Sequence, residues 1–162
     1  MSKSVEPVYS RIGVLFHIHA YALSKALANV VGSGQAVLAK PYADSFVKLC
    51  EAAGFKLGSV SEFAETLKEM QAVEDLKVKR LEDGTIEVGV EGCTFAPIVH
   101  KALNMKGYTG DICPLALMTM IAIAKENGWK PGENLFRYIR FAGKLSYFTE
   151  NGATTIFRRG EA

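Results

Sequence analysis

Residues 76–90 read LKVKRLEDGTIEVGV, and the apolar side chains on each side of Gly84 recur at every second position. This alternation is typical of β-strands with one buried face, so the stretch predicts an antiparallel hairpin. A two-residue Asp-Gly loop would mix lysines into the apolar face, whereas a three-residue loop with Gly84 in the left-handed conformation keeps that face apolar. We therefore predict the bulged loop. Its cross-strand pairs are Leu76 with Val90 and Val78 with Val88.

A second hairpin is predicted near the end of the sequence. Residues 136–148 and 153–159 are rich in aromatic and β-branched side chains, and Asn151-Gly152 between them is a strong turn signal. The sequence does not show which strands of the two hairpins are neighbours.

The other segments show the apolar period of helices. In the first helix, i, i+3, i+4 spacing predicts a buried face. That face comprises Ile12, Leu15, Phe16, Leu23, Ala26, Leu27 and Val30, with His19 among them as a core histidine or a polar point in a pocket. A second helix is predicted from Pro41 to Gly54, because proline suits a first helical turn. The capping-box spacing of Ser59 and Glu62 predicts the start of a third.

Two further helices, at residues 95–103 and 114–127, are predicted between the hairpins. The second is apolar nearly all round, which is typical of a helix buried in a core, a dimer interface or a cavity wall. The element order ααα-ββ-αα-ββ predicts an α+β fold in which an antiparallel sheet packs against helices. We expect residues 1–162 to form one domain, with N-terminal helices in residues 1–72 and a hairpin–helices–hairpin core in residues 73–160.

Composition and charge exclude several classes of protein. The 162 residues are 49% hydrophobic and 22% charged, which excludes a disordered or low-complexity chain. The net charge is +2, so we expect a solvated sheet face and no nucleic-acid partner where basic residues cluster near the end. These are Arg137, Arg140, Lys144, Arg158 and Arg159. No segment is apolar enough to span a membrane and no signal-peptide core is present, so we expect a cytoplasmic location.

Two of the three cysteines lie just before predicted helices, and each has an acid two residues earlier. Cys93 follows Glu91, and Cys113 follows Asp111. A helix N-terminus favours the thiolate, which binds metals or attacks as a nucleophile. Two thiolates and two carboxylates could form a tetrahedral zinc site. The alternative is that both cysteines are small buried residues, as we expect for Cys50 on its apolar helix stripe.

The three histidines are weaker candidates as ligands. His17 and His19 are two residues apart, so on a helix they point away from each other and cannot chelate one metal. His100 could supply a ligand, but we expect it on the surface of its short helix.

The segments VEGCTF (90–95) and GYTGDICPL (107–115) resemble the 4-vinyl-reductase-type domain, whose members bind small, often hydrocarbon-like molecules. The resemblance covers about residues 76–159 and implies a fold similar to that of TRAPP subunits, which pair as dimers. In bacterial aromatic-sensing regulators a similar domain holds a structural zinc with cysteines and a carboxylate. Cys93 and Cys113 match those cysteines, and Asp111 is the nearest acid; Glu91 is added from spacing alone. No nicotinamide or flavin motif is present, so reductase chemistry does not follow.

Three functions remain open from the sequence. The leading hypothesis is a protein that binds a small hydrophobic molecule, forms a homodimer and holds zinc. Its cavity beneath the last long helix would be lined by Phe95, Leu117, Met118, Ile121, Phe141 and Tyr147. We assign no catalytic residue, but a thiol-dependent enzyme that uses Cys113 is the alternative. The third hypothesis is a scaffold without a ligand, in which the apolar excess forms a homodimer interface.

Overall fold

A computed structural model describes residues 6–31 and 34–160, with the side chains of residues 11–26 and 39–160. The described chain has the predicted α+β architecture. Its helices are α1 (Glu6–Val31), α2 (Gly34–Ala52), α3 (Val60–Glu69), α4 (Ala96–Ala102) and α5 (Pro114–Glu126). Its strands are β1 (Asp75–Arg80), β2 (Thr85–Glu91), β3 (Gly107–Tyr108), β4 (Ile139–Phe148) and β5 (Ala153–Arg159).

The five strands form one antiparallel sheet in the order β1-β2-β5-β4-β3. The two hairpins therefore meet through β2 and β5, and the unpredicted short strand β3 extends the sheet beside β4. The first hairpin has the predicted register, because Leu76 pairs with Val90 and Val78 with Val88. Its loop is the bulged one, with Gly84 at φ +87°. Hydrophobic patterning was sufficient here, since a slip of one residue would have moved every apolar side chain to the other face.

Helices α3 and α5 pack against one face of this sheet, which we call the inner face. The capping box predicted at the start of α3 is present: Ser59 Oγ accepts from the Glu62 N–H, and the Glu62 carboxylate accepts from the Ser59 N–H. In α5, Met120 and Ile121 are fully buried, while Leu117 and Met118 are half-buried. The prediction that this helix is largely enclosed is confirmed.

The predicted start of the second helix is wrong. Helix α2 begins at Gly34, so Pro41 lies inside it rather than in its first turn. Proline removes one helical hydrogen bond but does not forbid helix on both sides. The residues just before Pro41 include good helix formers such as Gln35, Ala36 and Leu38, which favour the earlier start.

The predicted buried face of the first helix is also wrong where side chains are described. Ile12, Leu15, Phe16 and Leu23 are 43–67% exposed, and His19 and Ala26 are exposed with them. The side chains of Leu27 and Val30 lie outside the described residues. The opposite side of α1, which includes Gly13, His17 and Tyr21, packs inward. The apolar stripe on α1 is therefore present, but it is exposed and does not pack against the rest of the chain.

Candidate functional site

The second hairpin positions both candidate cysteines. The backbone N–H of Cys93 donates to the Asn151 carbonyl at 2.8 Å, just before α4 begins. The N–H of Cys113 donates to Ser146 Oγ at 2.9 Å, just before α5 begins. The Ser146 hydroxyl is in turn 2.6 Å from that of Thr155. This chain of buried contacts fixes the start of α5 against β4 and β5.

Burial raises the pKa of both thiols in the chain without a metal. For Cys113 the value reaches about 11, although the N–H groups of Ala116 and Leu115 favour the thiolate. The pKa of Cys93 is also raised by burial. The N–H groups at the start of α5 favour the Cys113 thiolate, as expected, but burial raises the pKa of the thiol by more than these groups lower it. Cys50 is half-buried on α2.

Tyr21 of α1 lies in the same buried region as the two cysteines. Its side chain is 3% exposed, and among the described residues its hydroxyl makes no hydrogen bond. Its pKa is raised by burial first, and then by the nearby Cys113, Asp111 and Cys93. We call Tyr21, Cys93, Asp111 and Cys113 the Tyr21 cluster. Sequence reasoning missed Tyr21, and the only signal for it was its place on the polar side of α1.

Asp111 contributes a buried carboxylate to the Tyr21 cluster. Its Oδ2 accepts from Thr109 Oγ1 at 3.0 Å and lies 3.9 Å from Lys25 Nζ. The lysine is mostly exposed, so this ion pair lies at the boundary between the cluster and solvent.

The four predicted zinc ligands are not brought together. Strand β2 ends at Glu91, and Gly92 turns the chain with φ +59°, so Glu91 and Cys93 do not point the same way. Glu91 is exposed, with its carboxylate 3.3 Å from Lys77 Nζ. Within the described ranges, no three or more Cys, His, Asp or Glu side chains converge to hold a metal. The residues as placed do not fit a tetrahedral zinc, whose ligands converge at about 2.0–2.3 Å, and the metal stays a prediction.

The six predicted cavity residues are also separated in the fold. Phe95 packs against His17, with ring centroids 4.7 Å apart. Ile121 is fully buried in α5, beside the half-buried Leu117 and Met118. On β4, Phe141 pairs with the buried Phe157, whereas Tyr147 is exposed and pairs with Tyr108. Because Phe141 and Tyr147 lie on opposite faces of the sheet, the six side chains cannot line one cavity.

A groove of about 470 Å³ lies between α4 and the end of β4. We call it the α4–β4 groove. Its lining includes the buried side chains of His100, Met105 and Phe148, together with the exposed Lys101, Lys106 and Tyr147. Tyr147 is the one predicted cavity residue that lines it.

His100 is buried in this groove and not on the helix surface as expected. Its Nδ1 is 2.7 Å from the Thr149 carbonyl oxygen, and a carbonyl only accepts, so Nδ1 carries the proton. In the neutral ring Nε2 is then a hydrogen-bond acceptor. The ring also packs edge-on against Phe148, with centroids 5.2 Å apart. The signal in the sequence was the spacing of His100 with Ala96 and Val99, which places it on the buried side of α4.

The described helices include none that is both long and apolar enough to cross a membrane. No protein-family model matches this chain, and comparison with curated proteins and with solved structures finds no match. The resemblance to the 4-vinyl-reductase-type domain therefore stays a prediction. Function has to follow from the chemistry of the residues themselves.

Proposed function

We propose that this protein binds a small, largely hydrocarbon-like molecule in the α4–β4 groove. The observation that carries the proposal is an open volume of about 470 Å³ lined by three buried side chains, His100, Met105 and Phe148. Ligand sites are typically concave, mostly apolar and about 300–1,000 Å³ in volume. Methionine adapts its shape to a ligand more readily than branched side chains do, so Met105 suits an apolar body of variable outline.

The polar groups at the groove favour a ligand with one polar end. In its neutral form the His100 ring would accept from a hydroxyl at Nε2. The ammonium groups of Lys101 and Lys106 would attract a carboxylate, although the exposed Glu150 also lines the groove. Neither lysine forms a salt bridge within the described residues. A phenol, a medium-chain alcohol or the corresponding carboxylate combines an apolar body with such a group.

Ligand-observed NMR with 1-octanol, octanoate and phenol tests this proposal. Thr149→Trp places an indole at the edge of the groove, and Ser45→Trp makes a similar change on the exposed surface of α2. We expect Thr149→Trp to weaken binding at least about tenfold, equivalent to 1.4 kcal/mol, and Ser45→Trp to leave it unchanged. Equal binding by both variants, or no binding of any of the three probes to the unmodified protein, would contradict the proposal.

The zinc implied by the resemblance needs its own measurement. Its thiolate ligands would be Cys93 and Cys113, and Asp111 would have to turn toward them. If the resemblance holds despite the present placement of these residues, elemental analysis of the purified protein will show zinc that is lost in Cys93→Ser and kept in Cys50→Ser. A protein purified without zinc that also fails to take it up after reduction would remove the metal from the proposal.

A homodimeric scaffold is the second candidate, and the exposed stripe on α1 favours it. We call Ile12, Leu15, Phe16 and Leu23 the outer α1 face. With His19, Ala22 and Ala26 they recur at the a, d and e positions of a heptad, with no charged side chain among them. Exposed apolar stripes of this kind mark interaction sites. A second copy is the fitting occupant, because a twofold axis brings the same uncharged stripe onto itself.

A further inference from the structure

We infer that the outer face of the sheet, over β3, β4 and β5, binds single-stranded nucleic acid. The face presents two exposed tyrosines and three cations, and the described helices α3 and α5 pack on the opposite, inner face. We call Tyr108, Arg140, Lys144, Tyr147 and Arg158 the basic-aromatic face. The sequence singled out the basic residues of this region, and the groove proposal leaves them unused.

Two arginines lie directly opposite each other on this face. Arg140 of β4 is the register partner of Arg158 of β5, and both are exposed. Neither guanidinium forms a salt bridge in the described part of the chain, and Arg140 Nε donates only to the Phe136 carbonyl at 3.0 Å. Like charges opposite each other destabilise a sheet. A phosphate between the two guanidiniums would remove that repulsion and accept from both.

Two tyrosines form the other end of the face. The rings of Tyr108 and Tyr147 meet edge to face with centroids 5.1 Å apart, and their side chains are 49% and 45% exposed. Lys144 Nζ lies 5.1 Å from the centroid of Tyr108. Exposed aromatic rings beside cations are the pattern on which single-stranded bases stack while their phosphates are neutralised.

The small net charge of the whole chain does not reveal the positive charge of the basic-aromatic face. The β1–β2 half of the same outer surface carries acids beside its lysines. Lys77 lies 3.9 Å from Asp75 and 3.3 Å from Glu91, while Lys79 is the register partner of Glu87. That half is close to neutral. On the β4–β5 half, Arg140, Lys144 and Arg158 form no salt bridge with any described acid, although Asp83 in the first hairpin loop lies near Arg158. The expectation of no nucleic-acid partner rested on the net charge of the whole chain, which averages over these two different surfaces.

The shape of the face favours single strands over other polyanions. Strand β4 bulges between Phe141 and Ser146, so the separation is set by β5, where Arg158 and Thr154 are the register partners of Arg140 and Tyr147. These partners are four residues apart, which places the phosphate-binding end about 13 Å from the stacking end. An acidic peptide has no planar bases to stack on the tyrosines, and a duplex keeps its bases inside. Bases of a single strand are free to leave their own stack and pack on the rings.

Fluorescence anisotropy with a labelled short oligouridylate at low salt tests the inference. We expect a dissociation constant of about 10⁻⁴ to 10⁻⁶ M that weakens as salt rises. Replacing both Arg140 and Arg158 by Gln should lower the slope of log K against log salt by about 0.7, because the two arginines share one phosphate and each neutralised phosphate adds about 0.7 to that slope. The matched control removes the same charge from the other half of the surface, as Lys77→Gln with Lys79→Gln, and should leave binding unchanged.

The tyrosine variants separate stacking from simple charge. Tyr147→Ala should weaken binding about fivefold or more, and Tyr147→Phe should keep it. Melting temperatures of all variants show whether they are folded, and the double arginine variant should not melt lower, since a like-charge pair is removed. The inference is overturned by no binding at low salt, by equal loss in both double variants, or by polyglutamate competing as well as the oligonucleotide.

Discussion

Helices α1 and α5 are both rich in apolar residues, yet the structure places these residues differently. In α5, Met120, Ile121 and Ile123 are fully buried. In α1, Leu15 and Phe16 are 66% and 67% exposed. The apolar pattern of a helix predicts that a face will be buried, but it does not say whether the covering surface belongs to the same chain.

The apolar residues of α1 are exposed because other residues form the inner side of this helix. Gly13 leaves room for the ring of Phe95, which a side chain at that position would strike. His17 stacks on the same ring, with its Nδ1 2.9 Å from the Gly13 carbonyl oxygen. Tyr21, one turn further along α1, lies near enough to both cysteines for them to raise its pKa. Gly13, His17 and Tyr21 therefore make contacts within the chain together with the partly buried Val14, while the larger apolar side chains of Leu15 and Phe16 remain exposed.

The largest expected effect is on α5. Ile121→Ala removes a fully buried side chain and should lower the free energy of unfolding by about 2–5 kcal/mol. Ile12→Ala is the matched change on the outer α1 face and should cost about 0.5 kcal/mol or less in the monomer, as exposed substitutions do. Urea denaturation at low protein concentration measures both. Equal costs would mean that the two helices are buried alike.

The next effect is on association. Phe16→Glu places a charge in the middle of the outer α1 face and should weaken homodimerisation by about 2 kcal/mol or more. Sedimentation velocity over a range of concentrations measures the shift to monomer. Leu81→Glu, at an exposed leucine in the first hairpin loop, is the control and should leave the dimer intact. If the unmodified protein is monomeric throughout, the second copy is not what covers this face.

A third prediction concerns the close approach at Gly13. Gly13→Ala should destabilise the fold by about 1–3 kcal/mol through overpacking against Phe95, despite the better helix propensity of alanine. Gly89→Ala is the control, because its nearest non-neighbouring atom, the Lys77 carbonyl oxygen, would be 4.0 Å from the new Cβ. Thermal unfolding compares the two variants. A stabilised Gly13→Ala variant would show that α1 is not closely packed there.

The sequence was sufficient where a pattern acts over a few residues. The register at Gly84, the capping box at Ser59 and the turn at Asn151-Gly152 all follow from local chemistry, and the structure confirms them. The approach of Tyr21 to Cys113 could not be predicted, because it depends on how α1 crosses two distant helix starts. The exposure of Phe16 could not be predicted either, because hydrophobic spacing alone does not identify the surface that covers an apolar helix face.

The smallest effect concerns pH and again separates the two sides of α1. Burial lowers the pKa of His17 from 6.5, the nearby His100 lowers it further, and the Gly13 carbonyl partly opposes both. In the pH range just below 6.5 the unfolded chain therefore binds a proton at His17 that the folded chain does not. The stability that comes from keeping His17 neutral is complete above that pH and is lost as pH falls toward the lower folded-state pKa.

His17→Phe keeps a ring against Phe95 and should flatten the pH dependence of the free energy of unfolding in this range. His19→Phe makes the same substitution on the exposed side of α1 and should leave the pH dependence unchanged. If both variants flatten the pH dependence equally, the burial of His17 is not its source.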